Sequence, residues 1–123
     1  QFHKNNLESA KLNYRRLISF DSVPHNVKGT AKERLLQISY SQDNFSEGER
    51  AFCDGDGSYI RNYLCGLNFL ASGDSIGGIY SLVRGLLKIE ESEDQNTEGL
   101  KIEILELIEG QRDYLAEDLL KIN

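Results

Sequence analysis

Apolar residues recur at helical spacing along most of this sequence, and no stretch alternates with period two for long enough to insist on a strand. The pattern is strongest beyond residue 58. Ile60, Tyr63, Leu64, Leu67, Leu70 and Ala71 share one stripe, closed by Gly73 as a C-terminal cap. Asp74 is placed to cap a following helix over about 75–91, whose stripe is Ile76, Ile79, Tyr80, Val83, Leu86 and Leu87. Gly78, Leu82, Gly85 and Ile89 make a second side of that helix at helical spacing, which predicts a central helix with neighbours on both sides. Glycine costs about 1 kcal/mol relative to alanine inside a helix, so Gly78 and Gly85 are read as sites of close helix packing.

The flanking segments follow the same period. Leu7, Ala10, Tyr14, Leu17 and Ile18 predict a first helix over about 5–20. Asp21 to Gly29, holding the only proline, Pro24, is expected to be a loop. Thr30 with Glu33 makes a capping box ahead of Ala31, Leu35 and Ile38. Ser46 with Glu49 makes a second one, opening a short helix that ends before Asp54-Gly55-Asp56-Gly57. Glu90 to Asn96 is expected to be a surface turn. The last helix or helix pair covers about 97–122, with Leu100, Ile104, Leu107, Ile108, Leu115, Leu119 and Ile122 inward and Gly110 as a kink or break. The expected fold is all-α: one compact domain over residues 1–123, with six to seven helices in antiparallel hairpins and a concave face for a partner.

Length and composition agree with one soluble domain: 123 residues, 39% hydrophobic and 28% charged, with no apolar run near the roughly 20 residues of a membrane span. No charged-then-apolar N-terminal segment suggests a secretory leader. The sequence begins at Gln1 and holds no methionine, which implies that the initiator lies outside it. Two cysteines are too few for a disulfide scaffold, so a reducing, cytoplasmic setting is the expectation. Cys65, one position beside an apolar stripe, is expected to be a small buried thiol.

Charge is unevenly spread. Residues 1–34 carry seven bases and three acids, a net of +4, whereas residues 86–123 carry four bases and eleven acids, a net of −7. An acidic surface repels nucleic acid and anionic lipid and steers basic partners toward itself, so neither nucleic acid nor membrane is an expected partner. The basic residues Arg15, Arg16, Lys28, Lys32 and Arg34 are expected to pair within the molecule. Glu103, Glu106, Asp113 and Glu117 share one face of the last helix, flanked by Glu109. Like charges at i,i+3 and i,i+4 cost a few tenths of a kcal/mol per pair, so a stripe left unpaired suits a surface awaiting a basic partner. The plain alternative is a solvated helix face.

Motifs for chemistry are thin. An EF-hand at Asp54 would need Gly at the sixth loop position and Glu at the twelfth, where Tyr59 and Cys65 stand. Asp54 and Asp56 beside Tyr59 suit instead a loop at an interface, with Tyr59 as its aromatic anchor. Cys53 and Cys65 lack a second pair for zinc, and no phosphate loop, nucleophile elbow or dinucleotide fingerprint is present. No metal, no cofactor and no catalytic residue are therefore expected. Glu90-x-x-Glu93 and Glu103-x-x-Glu106 resemble the carboxylate pairs of all-α nucleotide pyrophosphatases. Asp does not end the second pair and the gap between pairs is short, which puts that enzymatic role in doubt.

In size, acidity and predicted helical form the chain resembles the immunity proteins of bacterial contact-dependent growth inhibition systems. The resemblance covers overall character and no motif. It implies a cognate toxin domain, whose nuclease cleft would be positive in order to hold phosphates. The expected function is thus inhibition of a basic toxin nuclease by carboxylates, through Asp54, Asp56, Tyr59, Glu103, Glu106, Glu109, Asp113 and Glu117. In layout the hairpins also resemble tetratricopeptide-like arrays, although no 34-residue period can be traced. That likeness implies an adaptor that holds a peptide or protein.

Overall fold

The computed structural model describes the backbone of residues 4–54, 57–92 and 95–121, and within it the side chains apart from those of residues 4, 5, 95 and 113–121. Its elements are α1 (Lys4–Ser19), α2 (His25–Ser41), α3 (Glu47–Arg50) running into a 3-10 turn (Ala51–Cys53), α4 (Tyr59–Ala71), α5 (Ser75–Glu91), a second 3-10 turn (Gln95–Thr97) and α6 (Glu98–Lys121). No strand occurs among the described residues. Each long helix packs chiefly on the next long helix of the chain: α1 on α2, α2 on α4, α4 on α5 and α5 on α6. The expected all-α array of helical hairpins is the fold observed.

Local signals fix several boundaries. The Ser58 hydroxyl accepts from the Arg61 N–H at the start of α4, and the Asp74 carboxylate accepts from the Gly77 N–H at the start of α5. Each satisfies one of the donors that a helix N-terminus leaves without a partner. Between these helices Gly73 sits at φ +90°, in the left-handed region where a Cβ is penalised. Two other boundaries depart from expectation. Helix α2 starts at His25, with Pro24 as its cap residue at φ −60°, so most of the expected Asp21–Gly29 loop is helical. Proline's fixed φ suits the entry of a helix. The Thr30 hydroxyl, one turn inside, donates to the Asn26 carbonyl and forms no capping box. Ser46 does hold the cap position of α3 but makes no side-chain cap bond, and Glu49 turns inward to meet Arg15 at 3.0 Å. Gly110 does not break α6, which is continuous over Glu98–Lys121.

The core has two parts joined by Tyr63. In the first, Leu36, Leu64 and Cys65 are buried, with Phe45, Phe52, Leu67 and Phe69 around them. In the second, Leu82, Ile89 and Ile104 are buried, with Tyr59, Leu70, Leu86, Leu100, Leu107 and Ile108 around them. Cys53 and Cys65 are joined by a disulfide, which replaces the free buried thiol expected from the sequence. The bond ties the 3-10 turn to the middle of α4. Beside it, the buried Asn68 amide donates to the carbonyls of Leu36 and Leu64, and its oxygen accepts from the Ser39 hydroxyl. The Asn68 bonds lie between α2 and α4, and α4 also packs on α5 and on the 3-10 turn, so α4 is the central helix.

Helix α5 does have two neighbours, α4 and α6, but it meets them through its small-residue side. Its buried residues are Gly78, Ser81, Leu82, Gly85 and Ile89. Ile76, Tyr80, Val83 and Leu87, expected to meet a neighbour, are exposed by 74, 64, 40 and 59%. The reason lies in the glycines. Gly66 of α4 and Gly78 of α5 face each other so closely that a Cβ on Gly78 would stand 3.3 Å from the Gly66 carbonyl oxygen and 2.7 Å from Leu70 Cγ. Dispersion favours this close approach of two backbones, which turns the small-residue side of α5 inward and the bulky side outward.

Candidate interaction surfaces

Among the described residues, the outward side of α5 carries the largest run of exposed apolar side chains on one helix. Ile76, Tyr80, Val83 and Leu87 step by four, three and four, the spacing of a seam that receives a second helix. The Arg84 guanidinium lies over the Tyr80 ring at 5.6 Å and borders the stripe on one side. Scattered apolar residues are normal on a surface, whereas these four form one continuous row. Sequence reasoning identified these residues and assigned them the wrong environment. The 4-3-4 step was the available signal, since a core-facing helix uses a broader stripe than a two-helix seam.

The acidic stripe is less uniform than its spacing implied. Glu103, Glu106 and Glu109 are all exposed on α6. Glu109 pairs with Arg112 at 3.4 Å, one turn on. Glu103 accepts a hydrogen bond from the Tyr63 hydroxyl of α4, so it also fastens α6 to the central helix. The side chains of Asp113 and Glu117 lie outside the described residues. At the start of α6, Lys101 meets Glu90 of α5 at 2.7 Å, and this partner holds the ammonium above its usual range. Glu93, the second carboxylate of the first E-x-x-E pair, lies outside the described residues. Among the described residues no group of three His, Cys, Asp or Glu side chains could hold a metal ion.

Tyr63 gives this arrangement a measurable property. Burial first, then the hydrogen bond to Glu103 and its negative charge, push the phenol up to about 12. The folded value lies above the ordinary one near 10, so the protonated phenol contributes stability that is fully present below about pH 10. It is lost as pH rises from about 10 through about 12. In a spectrophotometric tyrosine titration, one phenol is expected near 12, and Glu103→Gln is expected to lower it only in part, because burial remains. An unchanged titration in the variant would show that Glu103 does not hold Tyr63.

Asp54 is exposed at the end of the first 3-10 turn, beside a shallow depression with Glu47, Arg50 and Phe69. Asp56 lies outside the described residues. Tyr59 opens α4 and is half-buried against the Leu82–Ile104 part of the core, so much of its ring packs inside the fold. Among the described residues, Asp54 borders that depression, Tyr59 packs against the core, and Glu103, Glu106 and Glu109 lie along α6. The expected internal pairing of basic residues is realised at Arg15, which meets the buried Glu49. No helix among the described residues is long and apolar enough to cross a membrane. No protein-family model, no curated protein and no solved structure matches the chain.

Proposed function

We propose that this chain is a protein-binding module that receives a helix of a basic partner on the outward face of α5. The observation that carries this reading is the exposed row Ile76, Tyr80, Val83 and Leu87. A partner helix laid along it would bury four bulky side chains, each contributing on the order of 1–2 kcal/mol where water is fully excluded. The net charge of −6 selects for partners of the opposite sign and raises their encounter rate. Glu106 and Glu109, exposed on the neighbouring helix, add to that field. A toxin nuclease is the narrower form of the proposal, because its phosphate-binding cleft would be cationic. The tetratricopeptide-like adaptor is the second reading, and the helical seam of α5 favours it. Disulfides persist in oxidising compartments, so the Cys53–Cys65 bond weighs for such a setting over the cytoplasm.

The test is capture of partners by the immobilised chain and by an Ile76→Glu/Leu87→Glu variant, at low and high salt. We expect a basic protein retained by the natural chain, released as salt rises, and lost by the variant. Inhibition of a nuclease activity in the captured protein would select the toxin form over the adaptor. Equal retention by chain and variant would sink the α5 surface as the binding face.

A further inference from the structure

The exposed row on α5 has a symmetry of its own. Ile76, Tyr80, Val83 and Leu87 step by four, three and four, so the spacing reads the same from either end of the helix. An antiparallel copy of the helix therefore meets the row in register at all four positions. Ile76 lies against Leu87 of the second copy and Tyr80 against its Val83, and a two-fold axis repeats both contacts. The largest side chain of the row then faces the smallest, which lets the two surfaces interdigitate. A two-fold interface requires such a self-complementary patch. A foreign helix must bring a matching row, whereas a second copy always carries one.

Charge suits the same arrangement. Helix α5 holds two bases, Arg84 and Lys88, and two acids, Glu90 and Glu91, so it is neutral along its length. Antiparallel pairing lays the negative C-terminal end of one helix, with exposed Glu91, beside the positive N-terminal end of the other. A parallel copy would bring like ends together. The net charge of −6 on each copy opposes association at a distance, and salt at 0.1 M screens it beyond about 10 Å.

With α5 read as a docking face, as above, we infer that its resident occupant is a second copy of this chain, paired antiparallel about a two-fold axis between Tyr80 and Val83. A single helix pair is at the small end of stable interfaces, so the dimer is expected to form at about 10 µM and above and the dilute chain to be a monomer. A basic partner then reaches the row by displacing the second copy.

Sedimentation velocity of the full chain from about 1 µM to 1 mM reads this equilibrium. The mass is expected to rise from 13.9 kDa to twice that value and no further, because a two-fold contact closes on itself. Added salt is expected to favour the dimer, the opposite of its effect on a basic partner. Ile76→Glu/Leu87→Glu removes apolar contact and sets carboxylate against carboxylate at both ends, so dimerisation is expected to weaken at least about a hundredfold. Ile76→Lys/Leu87→Glu removes the same contact but sets opposite charges across the antiparallel seam, and is expected to dimerise at least about tenfold more tightly than the first variant. Both change exposed positions, so far-UV helicity is expected to be unchanged. The inference is overturned by a monomer at every concentration, by growth beyond a dimer, by dimerisation of the first variant within about twofold of the natural chain, or by equal weakening of the two variants. A chain that stays monomeric yet captures a basic protein through Ile76 and Leu87 ends this inference and leaves the basic-partner reading intact. A dimer that captures no basic protein does the reverse.

Discussion

Reducing the Cys53–Cys65 bond is expected to lower the thermal midpoint of this protein by about 10 °C. The two cysteines are 12 residues apart, and closing a loop of that length in the unfolded chain accounts for about 3 kcal/mol. For a chain of 123 residues, that free energy corresponds to a midpoint shift of about this size. The bond also sits where little else holds the segment. The 3-10 turn Ala51–Cys53 is attached to the core mainly by Phe52 and by the disulfide to Cys65, which is itself buried. Melting curves with and without a phosphine reductant give the comparison directly. Far-UV helicity should be nearly unchanged below the midpoint, because the bond ties a turn to α4 and does not form a helix. An identical midpoint in both conditions would show that the bond contributes nothing to the fold.

The second large effect lies at the crossing of α4 and α5. Gly78→Val is expected to cost about 3 kcal/mol, the upper end of what overpacking a close contact usually costs. A Cβ there would stand 2.5 Å from Leu70 Cδ2 and 3.3 Å from the Gly66 carbonyl oxygen. Leu70 is able to rotate away, but the backbone of α4 is not, so the helices must separate. Gly85, one heptad further along α5, is the internal control. A Cβ at that position would meet Asn62 Cβ and the Tyr59 carbonyl oxygen at 3.5 Å, an ordinary contact distance. Gly85→Ala is therefore expected to gain up to about 1 kcal/mol from helix propensity. Urea unfolding of both variants distinguishes a true backbone contact from a merely buried glycine. Equal effects at the two positions would contradict the close approach at Gly66 and Gly78.

These two glycines also explain how far the sequence was legible. Helix periods, the cap at Asp74 and the turn at Gly73 depend on residues close in sequence, and each could be read from spacing and residue type. The facing of α5 could not be read that way. Both of its sides are apolar, and a count of hydrophobic residues favours the Ile76–Leu87 side. The side that packs is chosen by how closely α4 comes, which depends on Gly66 in a different helix. Pro24 likewise reads as a loop marker, yet it stands at a helix entrance. The disulfide and the Tyr63–Glu103 hydrogen bond join residues of separate elements, so spacing carried no trace of them. For the candidate sites, the acidic residues were legible as a row on α6, while their partners were not.

The central claim is that the bulky side of α5 faces outward and is free to receive another helix. The most direct measurement is the urea midpoint of the Ile76→Glu/Leu87→Glu variant against the natural chain. Exposed positions tolerate substitution within about 0.5 kcal/mol each, so the midpoint is expected to be nearly unchanged. Burying two unpaired carboxylates would instead cost several kcal/mol, and the variant would be largely unfolded without denaturant. An intact fold is the predicted result; collapse would mean that this stripe lies inside the molecule and cannot be its docking face.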